Sequence, residues 1–264
     1  EDEDPLVRQM AITALGEIGD ARATERLRRA LSDERPEVRF QAVIAFPRVI
    51  ARRDDGMDAM LEATRDPDPL VCHIALRMIE ELATQRDDQG EEHGVPEEAL
   101  VRAHALLGHA DGSVRVAAAI LLSRAGEEAG RDLLVQVARG DLATGEGDDE
   151  AAAIELCGEL GLKAARPGLE KRAFGGVFGI GRDRFAWHAR VALARMGHDR
   201  ATQEILRELA SWDRDRRTLA VAAVGRARIV AARPLVEAMR GDETKADAGA
   251  VAEALASLAT PEAR

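Results

Sequence analysis

A glycine-rich stretch at residues 174–190 is the part of this sequence that could form a binding site or an active site. It reads FGGVFGIGRDRFAWHAR. Its glycines follow the pattern G-x-x-G-x-G, which is neither the dinucleotide fingerprint nor a P-loop, and no strand pattern precedes it. A glycine-rich backbone before a helix start can still present free N–H groups to an anion. The basic residues around the glycines are therefore predicted to bind an anionic partner. They are Lys171, Arg172, Arg182 and Arg184.

A structural joint between two helices is the alternative interpretation of this stretch. Its phenylalanines would then pack on neighbouring helix ends; they are Phe174, Phe178 and Phe185. The stretch contains no Ser, Thr, Cys or Tyr that could act as a nucleophile. Asp183, between basic neighbours, is predicted to form a salt bridge, and His188 is predicted to be a neutral imidazole packed at an inward-facing helix position. We expect alanine at the four basic positions to leave the fold intact and to weaken partner binding in a salt-dependent way.

The histidines and cysteines form no metal or catalytic pattern. None of the six histidines belongs to an HxxxH or HExxH pair, and no Ser-His-Asp or Cys-His arrangement stands out. Cys72 and Cys157 lie in apolar helical stretches, which predicts reduced, buried thiols and a cytoplasmic setting. The acidic loops at 85–98 and 140–150 lack the spacing of an EF-hand. The sequence thus predicts no catalytic residue, no metal and no cofactor.

The charge of the chain is acidic overall but unevenly distributed. The formal net charge is −11, which argues against a general nucleic-acid binder, because such proteins gain affinity by neutralising phosphates. Residues 161–240, the basic segment, nevertheless hold 17 Lys and Arg against 8 Asp and Glu. This segment is a candidate functional face. No apolar run approaches the ~18 residues that a membrane helix requires.

The helices that must position these residues are indicated by one phrase that recurs eight times. Its first copies read PLVRQMAITALGEIG at 5–19 and PEVRFQAVIAFPRVI at 36–50, and the eight copies end at residues 19, 50, 83, 126, 161, 197, 228 and 259. A second amphipathic segment follows the phrase, as at 21–33, 199–213 and 231–243, so each complete repeat is predicted to be helix A, a tight turn, helix B and a short turn.

Helix A of the first repeat has an apolar face at helical spacing, and this face is predicted to point into the core. Its residues are Val7, Met10, Ala11, Ala14, Leu15 and Ile18. Gly19 is predicted to end the helix. Leu15, Leu122 and Leu193 occupy equivalent positions in three repeats and are predicted to be core residues.

The repeat resembles the HEAT-like repeats of bacteria, the class called phycobilisome-lyase HEAT-like repeats. The resemblance rests on Asp-x-x-Val-Arg, seen at Asp4, Val7 and Arg8, and on Ala-Leu-Gly-x-x-Gly at residues 14–19. An Ala-x-x-x-Leu pattern in helix B completes it. Such a resemblance implies an all-α fold, an α-solenoid or superhelix of about eight HEAT-like helix pairs.

The sequence departs from the repeat pattern at a few positions. Cys72, Glu150 and Ala186 replace the arginine of Val-Arg in repeats three, five and six, so any arginine ladder is predicted to be broken there. Pro47 is predicted to kink helix A of repeat two, because it removes one backbone donor. The longest step between copies predicts a surface loop around residues 86–96.

One HEAT-like repeat domain is predicted over residues 1–264. Its repeats are predicted at about 1–33, 34–66, 67–109, 110–145, 146–181, 182–213, 214–243 and 244–264, the last being incomplete. Because the sequence begins with EDEDP rather than Met and ends before a last helix B, we expect a fragment of a longer chain.

Two functions are compatible with these repeats, because they serve scaffolds and a few enzymes alike. The first is a non-enzymatic scaffold or adaptor that binds a protein partner along the concave face of the solenoid. The alternative is a HEAT-like nucleic-acid-binding protein or DNA glycosylase-like enzyme that uses the basic segment. HEAT-like deoxyhypusine hydroxylases carry His-Glu pairs, and no such pair occurs here. Bilin lyase subunits need a partner chain and a pigment pocket, for which the sequence shows no motif.

Overall fold

The structure is a computed structural model of the chain, and it describes residues 2–50, 52–85, 94–145, 147–175 and 183–259. All regular elements in these ranges are helical, which confirms the predicted all-α solenoid class. The α-helices of the described ranges are α1 (Pro5–Ile18), α2 (Thr24–Ala30), α3 (Pro36–Ala45), α4 (Arg53–Ala63), α5 (Pro69–Thr84), α6 (Glu97–Leu106), α7 (Gly112–Arg124), α8 (Arg131–Arg139), α9 (Gly147–Glu159), α10 (Arg166–Phe174), α11 (Ala186–Arg195), α12 (Asp199–Leu209), α13 (Arg214–Ala227), α14 (Arg233–Glu237) and α15 (Ala248–Ala259).

These helices alternate between helix A and helix B of the predicted repeats. Along the described chain, α1 to α14 follow the order of helix A and helix B in the seven predicted repeats, and α15 falls at helix A of the eighth. The chain divides into two compact units, described separately here: residues 1–133 with 144–146, and residues 134–143 with 147–264. One domain over residues 1–264, with the repeat boundaries given above, stays a prediction. Of the loop predicted at 86–96, residues 86–93 lie outside the described residues.

Side-chain caps start several A helices. Asp4, Asp68, Asp111 and Asp213 each accept a hydrogen bond from the backbone N–H two residues later, at 2.8–2.9 Å. These bonds satisfy donors that the first turn of a helix leaves free. Gly19 ends α1 with a φ of 68°, as predicted, and its N–H donates to the Leu15 carbonyl.

Pro47 ends helix A of repeat two instead of kinking it. The α-helix stops at Ala45, and a 3-10 turn over Phe46–Arg48 carries the proline. The predicted kink is wrong because Pro47 has no N–H to continue the α-helical hydrogen bonds, so the α-helix ends before it.

Successive A helices pack on one another within each unit. In the first unit α1 packs on α3, α3 on α5 and α5 on α7; in the second, α9 packs on α11, α11 on α13 and α13 on α15. Among the described helices, six B helices pack on the helix A that follows them: α2 on α3, α4 on α5, α6 on α7, α10 on α11, α12 on α13 and α14 on α15. No helix in the described ranges is both long enough and apolar enough to cross a membrane.

Small residues set the distance between A helices. A Cβ added to Gly16 would lie 2.7 Å from Ala45 Cβ, and one added to Gly158 would lie 2.5 Å from Ala192 Cα. Gly225 of α13 makes the same kind of contact with α15, where an added Cβ would lie 2.8 Å from Ala254 Cα. Each of these glycines lies three residues before the end of its phrase, and the alanine it contacts lies five before the end of the next. The third position of Ala-Leu-Gly-x-x-Gly is therefore glycine because another helix backbone occupies the space of a side chain.

In repeats one and two, the arginine of Val-Arg links helix A to the turn that follows helix B. Arg8 binds both carboxylate oxygens of Asp33 at 2.9 and 3.0 Å, and Arg39 binds those of Asp66 at 2.6 and 2.7 Å. Cys72 interrupts this ladder in repeat three, as predicted, and its Sγ lies 3.1 Å from the Thr64 carbonyl oxygen instead. Such two-point ion pairs hold one inter-repeat turn against the next.

The apolar face predicted for helix A is buried in repeat two but exposed in repeat one. In repeat two its residues are Val38, Ala42, Ala45 and Val49, each at most 3% exposed. Their counterparts in repeat one are Val7, Ala11, Ala14 and Ile18, all of them exposed. Met10, also predicted to be inward, is 65% exposed. The prediction fails for α1 because no described helix packs on this side of it.

Candidate functional site

Arg172 is the central residue of the predicted anion site, and it is buried. Helix α10 holds it at 9% exposure. Its Nε and Nη2 donate to the carbonyl oxygens of Ala138 and Val137, both at 2.9 Å. Its Nη1 lies 2.8 Å from a Glu150 carboxylate oxygen and 3.2 Å from Asp183 Oδ2. All three guanidinium nitrogens are thus engaged inside the second unit, where the arginine joins α8, α9 and the turn before α11.

Glu150 connects Arg172 to Arg184. The Glu150 side chain is only 14% exposed. Its Oε1 forms an ion pair with Arg172, and its Oε2 lies 2.9 Å from Arg184 Nη2. Glu150 stands on α9 at the position of Arg8 and Arg39, so repeat five carries the opposite charge there. One partly buried carboxylate shared between two guanidinium groups is a charge-assisted network.

Asp183 forms the predicted salt bridge and also organises the turn. Its carboxylate faces Arg172 and accepts from the Phe185 N–H at 2.7 Å. The chain therefore enters α11 with this carboxylate paired, which leaves it unsuited to acid–base work.

Arg184 and Lys171 are the exposed cations of the predicted site. The Arg184 side chain is 68% exposed, and its guanidinium carbon lies 4.5 Å from the centroid of the Phe185 ring, a cation–π contact. Lys171 is exposed on α10, directly before Arg172. Arg182 lies outside the described residues. The structure thus groups Arg172 with Arg184 through Glu150, while the binding of an anionic partner stays a prediction.

The expectation that all four basic residues can be replaced without harm needs correction for Arg172. Its removal would leave two carbonyl oxygens without a donor and the partly buried Glu150 with Arg184 alone, and such losses are costly. Only the exposed residues, such as Lys171 and Arg184, can be changed without affecting the fold.

The phenylalanines pack on helix ends where they are described. Phe185 is 7% exposed at the start of α11. The Phe174 ring stacks on the His198 ring with 5.5 Å between their centroids. The Arg200 guanidinium carbon lies 4.0 Å from the centroid of the Phe174 ring. His198 in turn accepts from the Ala201 N–H and so caps α12. These contacts agree with the predicted packing of both residues on helix ends; Phe178 lies outside the described ranges.

His188 is not the packed core imidazole that was predicted. Its side chain is 32% exposed, and Nδ1 lies 2.8 Å from Glu155 Oε1, which also accepts from Arg226 at 2.9 Å. Burial alone would raise the pKa of Glu155, but the His188 hydrogen bond and the Arg226 charge bring that pKa below its usual value. Because an ionised carboxylate can only accept hydrogen bonds, His188 Nδ1 donates to Glu155 Oε1. Sequence reasoning missed this cluster because its members come from three different repeats.

The two thiols are buried, as predicted, and unreactive. Burial raises the pKa of Cys72 to about 11 and that of Cys157 to about 12. A thiol with such a pKa contributes almost no thiolate nucleophile near neutral pH. Among the described residues, no three His, Cys, Asp or Glu side chains are placed to hold a metal ion.

Known proteins share the repeat and the fold with this chain. The family model of HEAT repeats matches residues 1–49. The solved complex of CpcE and CpcF of phycocyanin lyase from Nostoc sp. PCC7120 matches with a TM-score of 0.58 and 20% identity, over 89% of this chain and 86% of that one. An engineered protein, target OR497 of the Northeast Structural Genomics Consortium, matches with a TM-score of 0.39 and 16% identity, over 96% and 72%. No curated protein matches in sequence.

The two stronger matches agree with the structure described above. The HEAT match covers α1 to α3 and with them the first contact between A helices. The likeness to the phycocyanin lyase complex extends the fold over most of the chain. Together with the recurring Val-Arg and Ala-Leu-Gly elements, they support the resemblance of this chain to HEAT-like repeat proteins.

Proposed function

We propose that this protein is a non-enzymatic scaffold that binds an acidic segment of a protein partner through the second unit. The observation that supports the proposal is that the Arg184 side chain is fixed in position and yet exposed. Its guanidinium is held by Glu150 and by the face of Phe185, yet its side chain stays 68% exposed. We assign Lys171, Arg184 and Arg182 to the contact, and Arg172 to its support. Binding along a concave face stays a prediction.

Arg184 is suited to binding because its position is set before a partner arrives. A free arginine loses rotamer entropy on binding, and a side chain already fixed by an ion pair and an aromatic ring loses less. Its remaining donors can face an incoming carboxylate, a group that matches the guanidinium geometry. Lys171 adds a second positive charge on the adjacent helix α10.

A non-enzymatic role is supported by the way the acid–base groups are used. Asp183, Glu150 and Glu155 are each paired with an arginine inside the unit. Both cysteines are buried with a raised pKa. A protein partner is also supported by the solved structure of similar fold, which is a complex of two proteins.

Titration of the whole chain with a fluorescein-labelled oligoglutamate peptide tests this proposal. We expect saturable binding that weakens as salt is raised, because exposed ion pairs are screened. The double variant Lys171→Ala/Arg184→Ala should bind at least several-fold more weakly while its melting temperature changes little.

The matched control is Lys163→Ala/Arg166→Ala, which removes two exposed charges from the beginning of the same helix region. Its affinity should stay near that of the unchanged protein. Equal weakening by both double variants would show only a diffuse charge effect and would contradict the proposed site. Tighter binding of a duplex DNA of equal charge would instead favour the nucleic-acid alternative.

A further inference from the structure

The outer side of α1 is an apolar face that nothing in the described chain covers. We define the α1 face as Leu6, Val7, Met10, Ala11, Ala14 and Ile18. Its large side chains are 44% to 70% exposed. A groove of about 470 Å³ runs beside it between α1 and α2, with Leu15 and Leu27 in its lining. A contiguous apolar surface of this kind is characteristic of a protein interface.

The outer side of α15 is a second such face, built from small residues. We define the α15 face as Gly249, Ala252, Ala256 and Ala259, all of them exposed. A groove of about 430 Å³ lies between α14 and α15, with Val251 and Leu255 in its lining. The two faces thus differ in shape, because α1 presents large side chains where α15 presents a shallow alanine surface beside a groove.

The two faces are the two halves of the contact that recurs between A helices inside the chain. Ala14 stands at the position of Ala45, which packs on the preceding helix A. Ala256 stands at the position of Gly16 and Gly225, which receive the following helix A. A surface that repeats an internal interface is preorganised for a helix of the same kind.

The charges at the two faces are also complementary. Asp33 and Asp66 each bind the arginine of the preceding repeat, and Asp2, whose carboxylate makes the same turn contact with Asp4 N–H, is exposed. At the other face, Ala248 occupies the arginine position, and Arg240 lines the same groove as Ala248. Arg240 thus provides a positive charge at the α15 face that can pair with Asp2 at the α1 face of another copy.

We infer that two copies of this chain associate head to tail, with the α1 face of one packed on the α15 face of the other. This goes beyond the proposed function, because it uses neither Lys171 nor Arg184. The interface is heterologous: each copy keeps one free face of each kind after pairing. Association therefore continues past the dimer unless the rotation between copies closes a ring.

Sedimentation of the whole chain and of two edge variants tests this inference. Ala14→Arg places a charge in the α1 face, and Ala256→Arg places one in the α15 face; both alanines are exposed, so folding should be preserved. We expect the unchanged protein to gain mass with concentration beyond a dimer. Each variant alone should be a monomer. An equimolar mixture should form a dimer and nothing larger, because one intact face of each kind remains.

Ala105→Arg, an exposed alanine on α6 away from both faces, is the matched control and should associate like the unchanged protein. A monomeric unchanged protein at its highest soluble concentration would overturn the inference. It would also be overturned if either variant still associated alone, or if the mixture stayed monomeric, since another surface or none would then be responsible.

Discussion

At the scale of single residues, the second unit is distinguished by one reversed charge. Glu150 occupies a position that is arginine in repeats one, two, four and seven. A carboxylate at this position cannot form an ion pair with an aspartate, as Arg8 does with Asp33. Its positively charged partner must come from another helix. Arg172 supplies it from α10 and at the same time binds two carbonyl oxygens at the end of α8. The reversal converts a link between two turns into a junction of helices.

Replacing Arg172 by alanine should destabilise the protein strongly. The change leaves the partly buried Glu150 with one arginine fewer and two carbonyl oxygens without a donor, which we expect to cost about 3–5 kcal/mol. Urea unfolding measures this loss. Arg184→Ala is the matched control: its exposed pair with the same carboxylate should contribute only about 0–1 kcal/mol. Equal losses in the two variants would contradict the supporting role of Arg172.

The Glu155 cluster should make stability depend on pH in the acid range. Because the folded-state pKa of Glu155 lies below its usual value of about 4.3, its contribution is fully present above that value and is lost as the pH falls through the folded pKa. Glu155→Gln removes this contribution. We expect the variant to lose less stability than the unchanged protein between neutral pH and about pH 3. Parallel pH profiles for the two proteins would refute this assignment.

At the scale of helices, the separation of the A helices depends on glycine–alanine contacts. Gly158 and Ala192 illustrate the requirement, because the backbone of α11 fills the place of a side chain on α9. Repeat three has no glycine–alanine contact of this kind. Glu80 stands at the glycine position and Leu121 at that of the alanine, and Glu80 turns to an ion pair with Arg124 at 2.7 Å. Residue sizes on facing helices are therefore matched pair by pair.

Gly158→Ala should destabilise the second unit even though alanine favours helices. The added Cβ would lie 2.5 Å from Ala192 Cα, and such overpacking costs about 1–3 kcal/mol. Thermal or urea unfolding detects the change. Gly108→Ala is the control, since its nearest neighbour atom would be 4.0 Å away. A loss for Gly158→Ala no larger than that for Gly108→Ala would mean that α9 and α11 do not approach each other closely at this glycine.

At the scale of the whole molecule, the place of a repeat decides how much its core residues matter. Leu122 and Leu193 are fully buried, whereas Leu15 is half-buried beside the groove of α1. We expect Leu122→Ala and Leu193→Ala each to cost about 2–5 kcal/mol, and Leu15→Ala to cost less than either. Urea unfolding of the three variants measures the order. A loss for Leu15 as large as the other two would show that its side chain is covered in solution.

The amino-acid sequence by itself determined the helical repeat, the Asp and Gly helix ends and the buried state of both thiols. Gly19, Asp4 and Cys157 show why: caps and helical periodicity act within one repeat, so their signals lie within a few neighbouring residues. Glu150 was also visible as a departure from the repeat, but its partners were not.

Only the tertiary structure decided which of these positions are exposed and which charges are paired. Arg172 was assigned to a partner and proved buried, His188 was assigned to the core and contacts Glu155, and the α1 face proved exposed. Each outcome depends on residues from another repeat, about thirty positions away or more, which the local pattern does not encode. Burial and ion pairing are properties of the stacked repeats, because they require the surfaces of two or more helices to meet.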